Sequence, residues 1–128
     1  MKILVGLLFI TCSLFAQELT WNHHMAEAVK LSKDSNKPIM MMYSAVWCGE
    51  CDKMKKKVFQ NDAINKRLKD DFVLLSFDVE QDMERLPEGF SFRGVPTFFF
   101  MNSNKKLLKK VEGSCTKDSF LGKLKAVK

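Results

Sequence analysis

The feature that most restricts the fold is a change of hydrophobic rhythm across residues 39–58. Ile39 to Tyr43 is an unbroken apolar run, the pattern of a strand buried on both faces of an α/β sheet. Asn36-Lys37-Pro38 closes it off upstream as a breaker. Directly after it stands Trp47-Cys48-Gly49-Glu50-Cys51, and from Cys48 the spacing turns helical, with Cys51, Met54, Lys55 and Val58 predicted on one face. A buried strand feeding at once into a helix that carries two cysteines leaves few architectures open.

The rest of the chain extends this start. Asn22 is predicted to cap a helix running to about Asp34, with Met25, Ala28, Val29 and Leu31 facing inward. Asn61 and Asp62 offer a cap for a second short helix through Lys69 that buries Ile64 and Leu68. A strand is predicted over Phe72 to Val79, then a helical turn over Asp82 to Leu86 that Pro87 and Gly89 end. Thr97 to Met101 and Lys106 to Glu112 form a hairpin about the Asn102-Ser103-Asn104 turn. Gly113 breaks the second strand, and Thr116 caps a final helix that turns Phe120, Leu121 and Leu124 inward. The predicted order is α, β, α, β, α, β, β, α. A βαβ crossover followed by a hairpin and helix gives a mixed sheet with helices on both faces.

With 128 residues there is room for one domain, and neither an internal repeat nor a Gly/Ser/Pro linker divides it. The 46% hydrophobic and 11% aromatic content excludes a disordered chain. Residues 1–16 stand apart. Met1-Lys2, an apolar run from Ile3 to Ile10 and a small residue at Ala16 before Gln17-Glu18 follow the order of a secretory signal peptide cleaved after Ala16. The expected mature domain is 17–128, exported, with the bacterial periplasm as destination. An uncleaved anchor is disfavoured by the short apolar run, and a lipid on Cys12 by Thr11 before it.

Cleavage removes Cys12 and leaves Cys48, Cys51 and Cys115. Three cysteines, two of them separated by two residues, do not make a structural disulfide framework. The formal charge is +6, and without Lys2 there are 20 basic against 15 acidic residues. Much of the excess lies in Lys53 to Lys57 and Lys105 to Lys110. With acidic residues interspersed these runs read as solvated faces, and no nucleic-acid partner is expected.

A dithiol redox centre needs one thiol that attacks and a second, within reach, that releases the mixed disulfide. Cys48 falls at a helix N-terminus, where unsatisfied N–H groups and the helix dipole favour a thiolate. Cys51 falls one turn further in. Cys48 is therefore read as the nucleophile and Cys51 as the resolving thiol. The competing reading is half of a zinc site, but the two further ligands it needs are not suitably placed: Cys115 is alone, and His23-His24 precede the first helix. No metal and no cofactor beyond the redox-active disulfide is expected. The methionines, Met40 to Met42 above all, read as core packing.

Arg93-Gly94-Val95-Pro96-Thr97 leads straight into Phe98-Phe99-Phe100. A proline there fits either the first residue of a strand or a cis turn. A cis bond would aim the Val95 backbone outward, free to pair with an extended substrate. The segment alone does not choose between them.

Together, Lys37-Pro38-Ile39-Met40, Trp47-Cys48-Gly49-Glu50-Cys51, Val95-Pro96-Thr97 and Gly113 resemble the thioredoxin superfamily, over essentially the whole chain from His24 onward. Lys56-Lys57-Val58-Phe59-Gln60-Asn61-Asp62-Ala63-Ile64 is similar to its exported branch, which includes the soluble C-terminal domain of the bacterial membrane thiol:disulfide interchange reductase. The resemblance implies a thioredoxin-like fold and thiol:disulfide oxidoreductase activity. It implies that Pro96 is cis and packs against the two cysteines. It also implies that Trp47, Gly49, Glu50, Val95, Pro96 and the Gly113 region border a shallow groove for substrate thiols. Protein thiols and disulfides are the implied substrates, with a redox partner that could be a membrane reductase, and the domain is expected to be a monomer.

Two departures matter. Met42 occupies the place of the buried acid that assists proton transfer in thioredoxins, so Cys51 must exchange its proton with water or another group. Glu50 replaces the usual proline between the cysteines. That dipeptide tunes potentials over roughly −270 to −120 mV. A carboxylate beside Cys48 disfavours its thiolate by like-charge repulsion, an effect that Lys53 and Lys55 offset in part. The expectation is a reductant or moderate exchanger, against the alternatives of a disulfide-forming oxidase or a client-binding, chaperone-like module whose redox activity is incidental. Cys115 is read either as a third redox thiol near the groove or as a small buried hydrophobe at the start of the last helix.

Overall fold

Five strands and four helices make up the described part of the chain in a computed structural model that describes residues 18–127. The predicted leader, Cys12 and the cleavage site after Ala16 lie outside the described residues. The elements are β1 (Trp21–Asn22), α1 (Met25–Ser35), β2 (Ile39–Ser44), α2 (Gly49–Lys53), α3 (Asp62–Asp71), β3 (Val73–Asp78), β4 (Thr97–Met101), β5 (Leu107–Glu112) and α4 (Lys117–Lys125). A π-helical turn, Met54–Val58, follows α2, and a 3₁₀ turn, Met83–Arg85, follows β3. The sheet order is β1-β3-β2-β4-β5. β3 runs parallel to both β1 and β2, whereas β4 is antiparallel to β2 and β5. This is the mixed, helix-flanked sheet that the sequence implies.

β2 sits at the centre with all six residues buried. Strand alternation splits its side chains between two cores. Met40 and Met42 join Leu74, Phe98 and Phe100 on the face covered by α2, α3 and α4. Ile39, Met41 and Tyr43 join Leu75, Phe77 and Phe99 on the face covered by α1. Both cysteines of the motif belong to the first core. The methionines of β2 are packing residues, each fully buried. Burial pushes the Tyr43 phenol up to about 12; its hydroxyl has no hydrogen-bond partner among the described residues, and aromatic rings of Phe77, Phe92 and Phe99 enclose it.

Four local expectations are corrected. Asn22 is not a helix cap: it belongs to β1, paired with Leu75, and its side-chain amide donates to the Leu74 carbonyl at 3.0 Å. α1 starts three residues later, behind an extended His24 that supplies no side-chain cap. Leu31 is 45% exposed; the inward face runs from Ala28 to Ser32, at the four-residue spacing of one helix stripe, and the Ser32 hydroxyl bonds the Lys37 carbonyl. Lys55 is exposed, away from Cys51, Met54 and Val58. Finally, the helix after Cys48 is not regular to Val58. The Phe59 N–H reaches back to the Met54 carbonyl at 2.9 Å, a π-type closure that accompanies full burial of Phe59. The caps at Asn61 and Thr116 form as predicted, accepting the N–H groups of Ile64 and Ser119.

Candidate functional site

The motif lies where β2 ends. The Cys48 N–H bonds the Ala45 carbonyl at 3.1 Å, a tight turn that carries the chain from the sheet into α2. Cys48 is the N-cap of α2, in extended conformation, and the Cys51 N–H donates to its Sγ at 3.1 Å. A helix-start amide aimed at sulfur is the arrangement that stabilises a thiolate once the bond to Cys51 opens. The two cysteines are joined by a disulfide, with Cα atoms 5.3 Å apart. Both are buried, Cys51 (1% exposed) more deeply than Cys48 (5%).

The flanking side chains face out. Val46 and Trp47 are the exposed apolar residues of the turn, Trp47 at 66%. The Trp47 indole N–H donates to Glu80 at 2.9 Å. Glu80 is itself held by the turn after β3, where Asp78 Oδ1 accepts the N–H groups of Glu80 and Gln81.

The opposite border is the segment before β4. The Val95–Pro96 peptide is cis, which decides the alternative the sequence left open. Tyr43 pairs with Thr97, so Pro96 stands at the end of the sheet where β2 gives way to the motif. Pro96 is buried, and Val95 packs against the core that holds both cysteines. The peptide groups of Val95 take no part in a backbone hydrogen bond among the described residues. The Thr97 hydroxyl donates to the Gly94 carbonyl at 2.7 Å, and Arg93 pairs with Glu112 at 2.7 Å across the hairpin end. That guanidinium, with Lys110, holds the Glu112 carboxyl below the usual carboxylate range.

The third border is the turn from β5 to α4. Gly113 has φ +83, a left-handed conformation that glycine adopts without strain, and its N–H donates to the Pro96 carbonyl at 2.8 Å. Ser114, which the sequence reading passed over, donates its hydroxyl to Glu50 Oε2 at 2.6 Å. Cys115 is half-buried, a free thiol whose N–H approaches Met54 Sδ at 3.4 Å. It precedes the capping Thr116 and packs on the cysteine-bearing core. The structure thus brings together the motif, Val95-Pro96 and the Gly113 turn. Met42 lies fully buried in the same core, so no carboxylate acts from that position.

His23 and His24 lie elsewhere, beside β3 and the 3₁₀ turn, where they meet Ser76 and Arg85. No group of three or more metal-ligating side chains occurs among the described residues, and none of their helices is long and apolar enough to cross a membrane. Asp82, in the same turn, accepts the Asp78 N–H and the Arg85 guanidinium, each at 2.8 Å, which holds its carboxyl below the usual range. A depressed carboxyl contributes stability that is present above the ordinary value of about 3.9 and is lost as pH falls through the lowered one. Asp82→Asn should therefore lower stability near neutrality and narrow the gap between urea midpoints at about pH 7 and about pH 3. An unchanged gap would remove Asp82 from the acid response.

Residues 25–128 match the model of the thioredoxin-like domain. The chain is 30% identical to Thioredoxin-1 of Drosophila melanogaster over 78 residues, covering 61% of this chain and 69% of that one. It is 34% identical to the thiol:disulfide interchange protein DsbD of Vibrio vulnificus over 83 residues, covering 62% of this chain but only 14% of that much longer protein. In architecture it is similar to a protein of Bacteroides thetaiotaomicron, with a TM-score of 0.73 at 24% identity over 87% of this chain and 92% of that one.

Proposed function

The chain belongs to the thioredoxin-like domain family, and from that premise we propose that it is an exported thiol–disulfide oxidoreductase that reduces or exchanges disulfides in envelope proteins. The observation that carries this reading is the Cys48–Cys51 disulfide at the start of α2, with the Cys51 N–H on Cys48 Sγ. Export, and with it action on envelope proteins, is supported by the order of residues 1–16, and disulfide exchange by the similarity to an interchange protein.

The chemistry follows from the arrangement. In the reduced protein the Cys48 thiolate attacks one sulfur of a client disulfide, forming a mixed disulfide and expelling the other client sulfur as thiolate. Cys51 then loses its proton and attacks Cys48 Sγ, expelling the first client sulfur. The client gains two electrons and the pair ends as the disulfide that the structure holds. A partner dithiol, for which a membrane reductase is the proposed source, returns it to the reduced state. Trp47 and the unpaired Val95 peptide are the groups against which an extended client segment would lie. With Met42 in place of an acid, the Cys51 proton leaves to water or to another group.

The direction rests on Glu50, whose charge beside Cys48 opposes the thiolate and so favours the oxidised pair after each turnover. Equilibration with glutathione tests it. A potential nearer the reducing end, about −270 mV, is expected; one near the oxidising end, about −120 mV, would replace the reductase by an oxidase.

A further inference from the structure

We infer that Ser114 is a positioning residue for the redox pair: its hydroxyl fixes the Glu50 carboxylate on the β5–α4 turn, so that this charge acts on Cys48 from one place. The inference rests on the redox reading above and names the residue that tunes it. Glu50 lies on the first turn of a five-residue helix, where an exposed side chain would otherwise sample water. Instead its Oε2 takes a 2.6 Å hydrogen bond from a residue 64 positions away, the short distance of a charge-assisted O–H···O⁻ bond.

The donor is itself held on both sides. Gly113 bonds the Pro96 carbonyl through its N–H, and the Cys115 N–H meets Met54 Sδ. Ser114 therefore sits on a turn tied both to the mouth of β4 and to the helical segment that follows the cysteines. The same turn faces Lys53, Lys57 and Lys117, which line a hollow with Cys115, and none of the three has an ion-pair partner among the described residues. Asp52 and the Trp47-bound Glu80 are the other carboxylates nearby in the chain or the fold.

Reduction places a new charge in this setting. The disulfide takes two electrons and one proton to give a Cys48 thiolate and a Cys51 thiol; in a glutathione buffer two glutathione thiols supply the electrons and leave as glutathione disulfide. The thiolate forms two residues from Glu50 in the chain, where a like charge disfavours it. A hydrogen bond from a neutral hydroxyl leaves the full negative charge in place. Without that bond the carboxylate is free to move into bulk water or onto the unpaired ammonium groups of Lys53 and Lys57. Either move weakens its action on Cys48. Loss of the hydroxyl should then favour the thiolate and the reduced pair.

The test uses the full chain equilibrated over a series of glutathione ratios, with the oxidised fraction read by mass after alkylation, and the alkylation rate of Cys48 followed against pH. Ser114→Ala should shift the equilibrium constant about threefold toward the dithiol, or about 14 mV for a two-electron couple, and move the onset of Cys48 alkylation to lower pH. Ser114→Thr keeps a hydroxyl and should behave as the parent. Glu50→Gln should shift at least as far as Ser114→Ala, and Ser114→Ala should then add nothing in the Glu50→Gln background. No shift, a shift toward the disulfide, or an equal shift in both backgrounds overturns the role of Ser114 while leaving the redox reading intact. If the parent forms no Cys48–Cys51 disulfide at any ratio, both fail.

Discussion

Cys48→Ser should leave disulfide reduction at least about 10³-fold slower than the parent, because a serine hydroxyl neither ionises near neutrality nor forms a disulfide. Cys51→Ser should fail at a later point. Cys48 Sγ keeps its place at the start of α2, although the bond from residue 51 then comes from a serine N–H rather than a cysteine one. The first attack proceeds, and the mixed disulfide then has no thiol to resolve it. Cys115, whose N–H meets Met54 Sδ, lies outside the helix turn that joins Cys48 to Cys51 and is not placed as Cys51 is. Insulin reduction measures the first variant, and covalent adducts on a non-reducing gel measure the second. Adducts that vanish in Cys48→Ser/Cys51→Ser assign the attack to Cys48. A Cys48→Ser protein that keeps its rate would move the chemistry to Cys115, and a Cys51→Ser protein that captures no client would favour a binding module.

The same physics decides which parts of this site could be read from the sequence. β2 and β4 announce themselves because strands buried on both faces read as near-continuous apolar runs, and Ile39–Ser44 and Thr97–Met101 have every residue buried. The cysteine motif is legible because its chemistry depends on spacing along one helix turn. β1 is not: two residues cannot show a period, and Trp21–Asn22 is a strand only because Leu74 and Leu75 offer it an edge. Helix phase fails at Leu31 for a related reason, since the pattern rewards any apolar residue at the right spacing while the fold selects Ala28 and Ser32, small enough to lie close against the sheet. The Glu50–Ser114 and Trp47–Glu80 bonds were beyond reach altogether. Each joins polar residues from distant segments, and nothing in local composition marks one surface serine or glutamate from another. The site is thus legible in its sulfur chemistry and silent in the bonds that join its distant segments.

Phe98→Ala should be the most destabilising single change considered, at about 3–5 kcal/mol. Phe98 is fully buried on β4, opposite Met42 and Val111 in the register. Its ring lies 5.2 Å from Phe120 and 6.0 Å from Phe59, and those two lie 5.5 Å from each other. The three rings join the sheet, the residue that closes the π-helical turn and α4. Truncation removes the transfer free energy of the ring and leaves a cavity that these rigid neighbours cannot fill, with the loss of two aromatic pairs worth about 0.5–1.5 kcal/mol each. Against a total of about 5–15 kcal/mol for a domain, that is about a fifth of the stability or more. The exposed Leu108 on edge strand β5 provides the contrast, with a change within about 0.5 kcal/mol on truncation to alanine. Urea unfolding at constant m reads both. A loss below about 1.5 kcal/mol at Phe98 would mean that the ring cluster is not what holds α4 and the cysteine-bearing segment to the sheet.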